Sequence, residues 1–311
     1  AAVVNMEDTD MNTATPLFIE QRFPVGLDPV VPSIRALYDQ SKAAHWDPQA
    51  DIDWAAFSTT QYTPEQLHAA QLSWSRRAWV EYTALAETPS LLVRFCIERG
   101  READPKFYLT VRNTEEAWHI ESCHRFADLC GGYLEQPSSS AYAENLNRNF
   151  HREVLHAETP LDAYVAAHCA ISDGLEFALW DAYSNNASNP VARQLLERCV
   201  RDKARHASFG WMYLDARRTH WDKAIRTQIE QYVSSHIHEV ELAGYHCVSL
   251  ADDTDSERVA LADATTAQAG LGALAPREER KLTAIFLASA LERLAGLQIN
   301  IELPENARLH T

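Results

Sequence analysis

The chain has 311 residues, 46% of them hydrophobic, and a formal net charge of −16. So many apolar side chains can fill a large core, and the length suits a single large domain more simply than two modest ones. The acidic balance repels phosphate backbones and anionic lipid, and no apolar stretch nears the roughly 20 residues needed to cross a bilayer, so neither nucleic acid nor a membrane is an expected partner and a cytoplasmic location is predicted.

The opening residues through Asn5, ahead of Met6, read as a loose tail or an added remnant, and residues 1–15 are set apart from a single helical domain over 16–311. A short helix is predicted near 33–45. Four long helices follow, at about 63–99, 105–130, 160–184 and 190–218. Their starts carry proline behind a capping residue, at Thr63-Pro64, Asp104-Pro105, Thr159-Pro160 and Asn189-Pro190. Proline suits the first helical position because its missing amide hydrogen would find no partner there. Thr63-Pro64-Glu65-Gln66 also completes a capping box. Turn residues such as Gly100, Gly131-Gly132 and Ser184-Asn185-Asn186 end three of these helices. A helix near 139–157 and two or three beyond 222 flank them. The Asp, Thr, Ala and Gly composition of 251–275 reads as a loop before a last helix beginning at Pro276. Six cysteines without a CxxC pair predict buried thiols rather than disulfides or a zinc knuckle.

The first long helix sets Glu81 on the same side as Trp74, Ala78 and Leu85, so its carboxylate faces the core and needs a partner. On the second, Glu116 and His119 form a Glu-x-x-His step that puts carboxylate and imidazole on adjacent turns, within reach of one ion. The third carries Glu176 on a stripe with Cys169, Asp173, Leu179, Trp180 and Tyr183, and the fourth carries His206 with Asp202 one turn before it. Glu121 and His124 repeat the Glu-x-x-His step, but about 140° around the helix, so only one pair faces inward; the expectation is 116 and 119. His168 reads as a satisfied core histidine, and His236-Ile-His238-Glu239 as a solvated face. Trp74, Trp180, Trp211 and Tyr213 read as core packing.

This arrangement resembles the ferritin-like di-metal carboxylate oxygenases, whose bundles draw a glutamate from each of two helices and a Glu-x-x-His pair from each of the others. The likeness covers about residues 63–218. Steps of 35 residues from Glu81 to Glu116 and 60 from Glu116 to Glu176 are similar to those of the p-aminobenzoate N-oxygenase branch, as are the segments Asn113 to His119 and Asp202 to Gly210. The resemblance implies an all-α, ferritin-like four-helix bundle with additional flanking helices, and metal ligands at Glu81, Glu116, His119, Glu176 and His206.

One position departs from the pattern. Lys203 stands three residues before His206, where the family offers a glutamate, and an ammonium repels a cation. Three readings stay open. Asp202 replaces the missing carboxylate, in an Asp-x-x-x-His step that resembles haem-oxygenase-like di-iron oxygenases; Lys203 ligates when neutral, or pairs with a carboxylate and weakens one metal position; or the fold survives without metal. Glu81 and Glu176 bonded to Lys203 or to buried arginines would form a stable network with no ion at all.

The resemblance implies a cofactor of two irons, or one iron with a weak or manganese second site, and a non-haem oxygenase or oxidase that activates O2 on a small organic substrate, an amine or amino acid being the nearest analogy. Lys203 then tunes or reacts near the second position. Such an enzyme takes electrons from an external donor, and fold analogy suggests a homodimer. The alternative is a metal-free ferritin-like scaffold or partner subunit of an enzyme complex.

Overall fold

The computed structural model describes residues 26–135, 143–144, 146, 148, 150–156, 158–251 and 254–309, so the predicted tail over 1–15 lies outside the described residues. All regular elements among them are helical. Helix α1 spans Pro32–Ala43, α2 Pro64–Glu98 and α3 Asp104–Leu129. After the short α4, Phe150–Leu155, comes a continuous run of α5 (Leu161–Tyr164), wide π-helical turns over Val165–Ser172, and α6 (Asp173–Asn186). Helix α7 spans Pro190–Arg217, α8 Lys223–His236 with a π-helical end over Ile237–Glu241, α9 Thr254–Gln268 and α10 Pro276–Gly296.

The four core helices are α2, α3, the α5–α6 run and α7. Short connections return α3 along α2 and α7 along α6, and both pairs are in extensive contact. Helix α1 packs on α3 and α7, α9 on α2, and α10 on α6. Each core helix passes from one apolar cluster to the other through a polar middle. Trp74 and Ala78 precede Glu81 on α2 while Leu91 and Phe95 follow it; Tyr108 and Leu109 precede Glu116 on α3 while Cys123 and Phe126 follow. Cys169 and Leu179 flank the middle of the α5–α6 run, and Cys199 and Phe209 that of α7. Two apolar plugs therefore enclose one polar layer. Where α7 meets the π-helical turns, Gly210 lets the backbones touch: an added Cβ would lie 2.4 Å from the Cys169 carbonyl carbon.

Thr63 caps α2 in a full box with Gln66, and the Asn189 side chain accepts from the amides of Val191 and Ala192. The other two expected caps do not form. Asp104 lies inside α3 and receives the amides of Val30 and Val31 and the guanidinium of Arg35, while at Thr159-Pro160 the helix starts one residue later, behind Pro160. The predicted loop over 251–275 is also corrected. Most of it is α9, whose buried face of Val259, Ala260, Asp263 and Thr266 repeats at helical spacing; alanine is the strongest helix former, and the composition masked it. Of the helix expected near 139–157, α4 is seen, and most of residues 136–149 lie outside the described residues.

Candidate metal centre

The polar layer gathers Glu81 from α2, Glu116 and His119 from α3, Glu176 from α6, and Asp202, Lys203 and His206 from α7. All are buried except Glu176, whose side chain is 14% exposed. The second Glu-x-x-His pair points away: Glu121 accepts from Gln49 near the surface, and His124 stacks on Tyr133.

Two crossed hydrogen bonds organise this layer. On each of α3 and α7 an acidic residue directly precedes the Glu-x-x-His or Lys-x-x-His step and holds the imidazole of the other helix: Asp202 meets His119 Nε2 at 3.1 Å, and Glu115 meets His206 Nε2 at 2.9 Å. Asp202 thus stands behind His119. Its remaining capacity is taken by the Trp46 indole at 2.9 Å and by Arg205, which also bonds Glu115 at 2.6 Å. Fixing Nε2 this way turns Nδ1 inward and sets the ring's orientation, as outer carboxylates do for metal-bound histidines. His119 Nδ1 lies 3.1 Å from Glu81. His206 lines a small cavity beside Glu116 and Glu176, and no hydrogen bond reaches its Nδ1 among the described residues.

Side-chain cations already occupy part of this layer. Lys203 donates to Glu81 and, at 2.9 Å, to Glu176, with its ammonium 4.5 Å from the ring centre of Trp180. Arg112 donates to Glu116 at 2.9 Å and grips Asp173 with two bonds of 2.6 and 3.0 Å. Protonation states follow. Burial alone would raise the pKa of Glu81, but the charge of Lys203 and the bond from His119 hold it well below the usual carboxylate range. Burial and the neighbouring Glu81 push Glu176 up to about 7, while burial carries Glu116 up to about 8 despite Arg112. Burial opposes protonation of His119, yet bonds to Asp202 and Glu81 raise it to about 9, so it donates from both nitrogens. His206 is driven well below its ordinary value by burial and by Arg112, leaving a neutral ring with a lone pair at Nδ1.

The donor set passes a chemical test for metal in part. Carboxylates and inward-turned imidazoles suit iron or manganese, and Glu81, Glu116 and His119 would hold one ion. Lys203 supplies the second positive charge where a second ion would need a carboxylate. As the side chains stand, no three His, Cys, Asp or Glu groups among the described residues are arranged to hold an ion, because Lys203 and Arg112 hold Glu81, Glu176 and Glu116. Sequence reasoning missed Glu115, Arg112 and Trp46. Two of them offered a signal: Glu115, like Asp202, directly precedes its motif, and Arg112 stands one helical turn before Glu116.

Behind Glu87 lies a second buried polar group. His168 bonds Glu87 at 3.1 Å and Tyr232 at 3.2 Å, consistent with a satisfied core histidine. The expected solvated face at His236 is corrected. Its ring is buried and meets Ser172 at 2.7 Å, because it continues the inward stripe of Ile229 and Val233 at helical spacing, while His238 and Glu239 face out.

No family model and no curated protein matches this chain. Solved structures do. An R2-like ligand-binding oxidase with an aerobically reconstituted metal cofactor superposes with a TM-score of 0.65 at 17% identity, covering 86% of this chain and 94% of its own. Two point variants of an R2-like ligand-binding oxidase with aerobically reconstituted Mn/Fe cofactor give 0.61 at 16% identity, over 86% and 94%, and 0.59 at 17%, over 91% and 98%. The fold is thus the ferritin-like bundle of R2-type helical proteins, and at this identity the likeness is one of fold.

Proposed function

We propose that the chain is an oxidase with a non-haem redox-metal centre, iron or iron with manganese, acting with O2 on a small organic molecule. The observation that carries this reading is the crossed pair of carboxylate–imidazole bonds, which turns His119 Nδ1 toward Glu81 and leaves His206 Nδ1 free beside Glu176. The metal-cofactor oxidases that share the fold add support.

When bound, such a metal supplies one-electron chemistry toward O2. The chain's own groups do the rest. Glu81, Glu116 and His119 would hold the ion, Asp202 and Glu115 keep both rings in place, and the two apolar plugs exclude water along the bundle axis. Lys203 holds a proton between Glu81 and Glu176, and Glu176, near neutrality in pKa, accepts or releases one at the cavity edge. To ligate an ion, His119 would have to give up the proton that its bonds to Asp202 and Glu81 now favour.

Reconstitution of the purified protein with ferrous and manganous ions without oxygen, followed by anomalous scattering at each metal edge, tests the reading. One ion against Glu81 and His119, with O2 uptake on aeration, is the expected result; no bound metal overturns it. A second reading, a metal-free scaffold or partner subunit, is favoured by one observation: Lys203 and Arg112 already neutralise Glu81, Glu176 and Glu116.

A further inference from the structure

The polar group behind Glu87 is strung out as a line. Glu87, on α2, lines the cavity of about 40 Å³ whose wall also includes Glu81, Glu116, Glu176 and His206. Its carboxylate meets His168 Nδ1 at 3.1 Å, His168 Nε2 meets the Tyr232 hydroxyl at 3.2 Å, and that hydroxyl donates to Glu153 at 3.2 Å. His168 is 3% exposed, whereas Tyr232 and Glu153 are half-buried. The line therefore runs from the wall of the candidate centre toward the surface, each link supplied by a different element: α2, the π-helical turns, α8 and α4.

Each member can both take and release a proton. An imidazole bonded at both nitrogens accepts at one and donates from the other, and a phenol does both at its single oxygen. Burial and the charge of Glu153 hold the Tyr232 phenol well above its ordinary value, so it gives up its proton only as it takes another. Glu87, held down to about 2 by His168 and Tyr164 against the effect of burial, carries a proton only in passing. Tyr164 stacks on the His168 ring at 4.0 Å and donates to Glu87 at 2.7 Å, but it stands beside the line, not in it. The ring of His236 also faces His168, its centre 4.3 Å away. Reduction of O2 takes up protons as well as electrons, and the polar layer lies between two apolar clusters that offer no such path along the bundle.

We infer that Glu153, Tyr232, His168 and Glu87 form a proton relay between solvent and the central cavity. This deepens the oxidase reading above and rests on it, although exchange along the line needs no metal. In one inward step Glu153, protonated by solvent, gives its proton to the Tyr232 oxygen while the phenol passes its own to His168 Nε2. His168 then releases its Nδ1 proton to Glu87, which yields it to the cavity, a space large enough for water. One proton leaves solvent and one arrives, and no electron moves. A turn of the hydroxyl and the tautomeric return of the ring restore the starting bonds.

The test is the exchange of the His168 ring N–H protons with water, followed by NMR on the metal-free full chain labelled with nitrogen-15 histidine. Tyr232→Phe removes one hydroxyl and keeps the ring, and it should slow this exchange about tenfold or more. Glu153→Gln, at the surface end where folding is not at risk, should slow it likewise, whereas Tyr164→Phe, beside the line, should leave it unchanged. Exchange as fast in Tyr232→Phe and Glu153→Gln as in the unmutated protein overturns the relay. So does equal slowing by Tyr164→Phe, which would mark a general change in packing. In ferrous-loaded protein, Tyr232→Phe should also slow O2 uptake without changing the metal content, and uptake at the unmutated rate overturns the inward role. Should no metal bind, the oxidase reading falls and the exchange measurement alone decides the relay.

Discussion

An ammonium is among the costliest groups to bury, yet Lys203 is 1% exposed and held by Glu81 and Glu176. Removing one member of a buried charged set typically costs about 3–5 kcal/mol, because the remaining charges lose their partner without regaining water. Lys203→Met should therefore destabilise the metal-free protein by about that amount in chemical denaturation. Lys203→Glu removes the cation and adds a carboxylate, so in metal-free form it should be destabilised similarly, and on reconstitution it should bind one more ion per chain than the unmutated protein, as read by elemental analysis. Metal in neither form would favour the scaffold reading. At this scale the inward-facing set was legible because Glu81, Glu116, His119, Glu176 and His206 sit at helical spacing among core residues. Among their partners, Arg112 lies four residues from Glu116 and Arg205 three from Asp202, at local helical spacing, whereas Trp46 and the crossed bond from Glu115 to His206 depend on tertiary geometry.

Local chemistry wrote some helix ends into the sequence and left others out. The Thr63 box behaves as its four residues dictate, and Thr63→Ala should cost about 1 kcal/mol, read as a lowered denaturation midpoint without loss of the helix. Asp104 looked like the same device, but a carboxylate that can receive two backbone amides and an arginine from α1 is pulled to that task, which sequence neighbours cannot reveal. Helix α9 was hidden by its alanine and threonine content, although its buried residues keep helical spacing. The contact of α7 with the π-helical turns gives the sharpest test among the elements. With backbone atoms of Cys169 and Ala170 at 2.4–2.5 Å from the added Cβ, Gly210→Ala cannot be relieved by a rotamer change. It should destabilise by about 3 kcal/mol or more, against the small gain that alanine gives in an open helix.

For the whole molecule, pH acts from both sides. Burial alone would raise the pKa of Glu87, but the His168 imidazole and the Tyr164 hydroxyl hold it down to about 2, below the ordinary value of 4.5. Its ionised form therefore contributes stability above pH 4.5 that is lost as pH falls toward 2. His119 has the opposite sign: raised from 6.5 to about 9, it contributes stability fully present below pH 6.5 and lost as pH climbs through 9. These two contributions to the denaturation midpoint of the metal-free protein are thus both fully present only between about pH 4.5 and 6.5. His119→Gln should flatten the alkaline limb, and Glu87→Gln the acid one. The helical class and the four-helix order were legible from proline-led starts and helical periodicity. How the outer helices close over the bundle was not, because those contacts join residues far apart in the chain.

That each core helix threads apolar, polar and apolar again has a consequence for traffic. Among the described residues, Trp74 and Phe126 stopper one end of the barrel and Phe95 and Phe209 the other. The cavity at the middle lies to the side, lined by Val80, Thr83 and Ala84 of α2 and by the rings of Phe150 and Tyr245. Those two rings come from α4 and from the turn after α8, outside the four-helix core, so the segments that look like decoration around the bundle wall its central cavity.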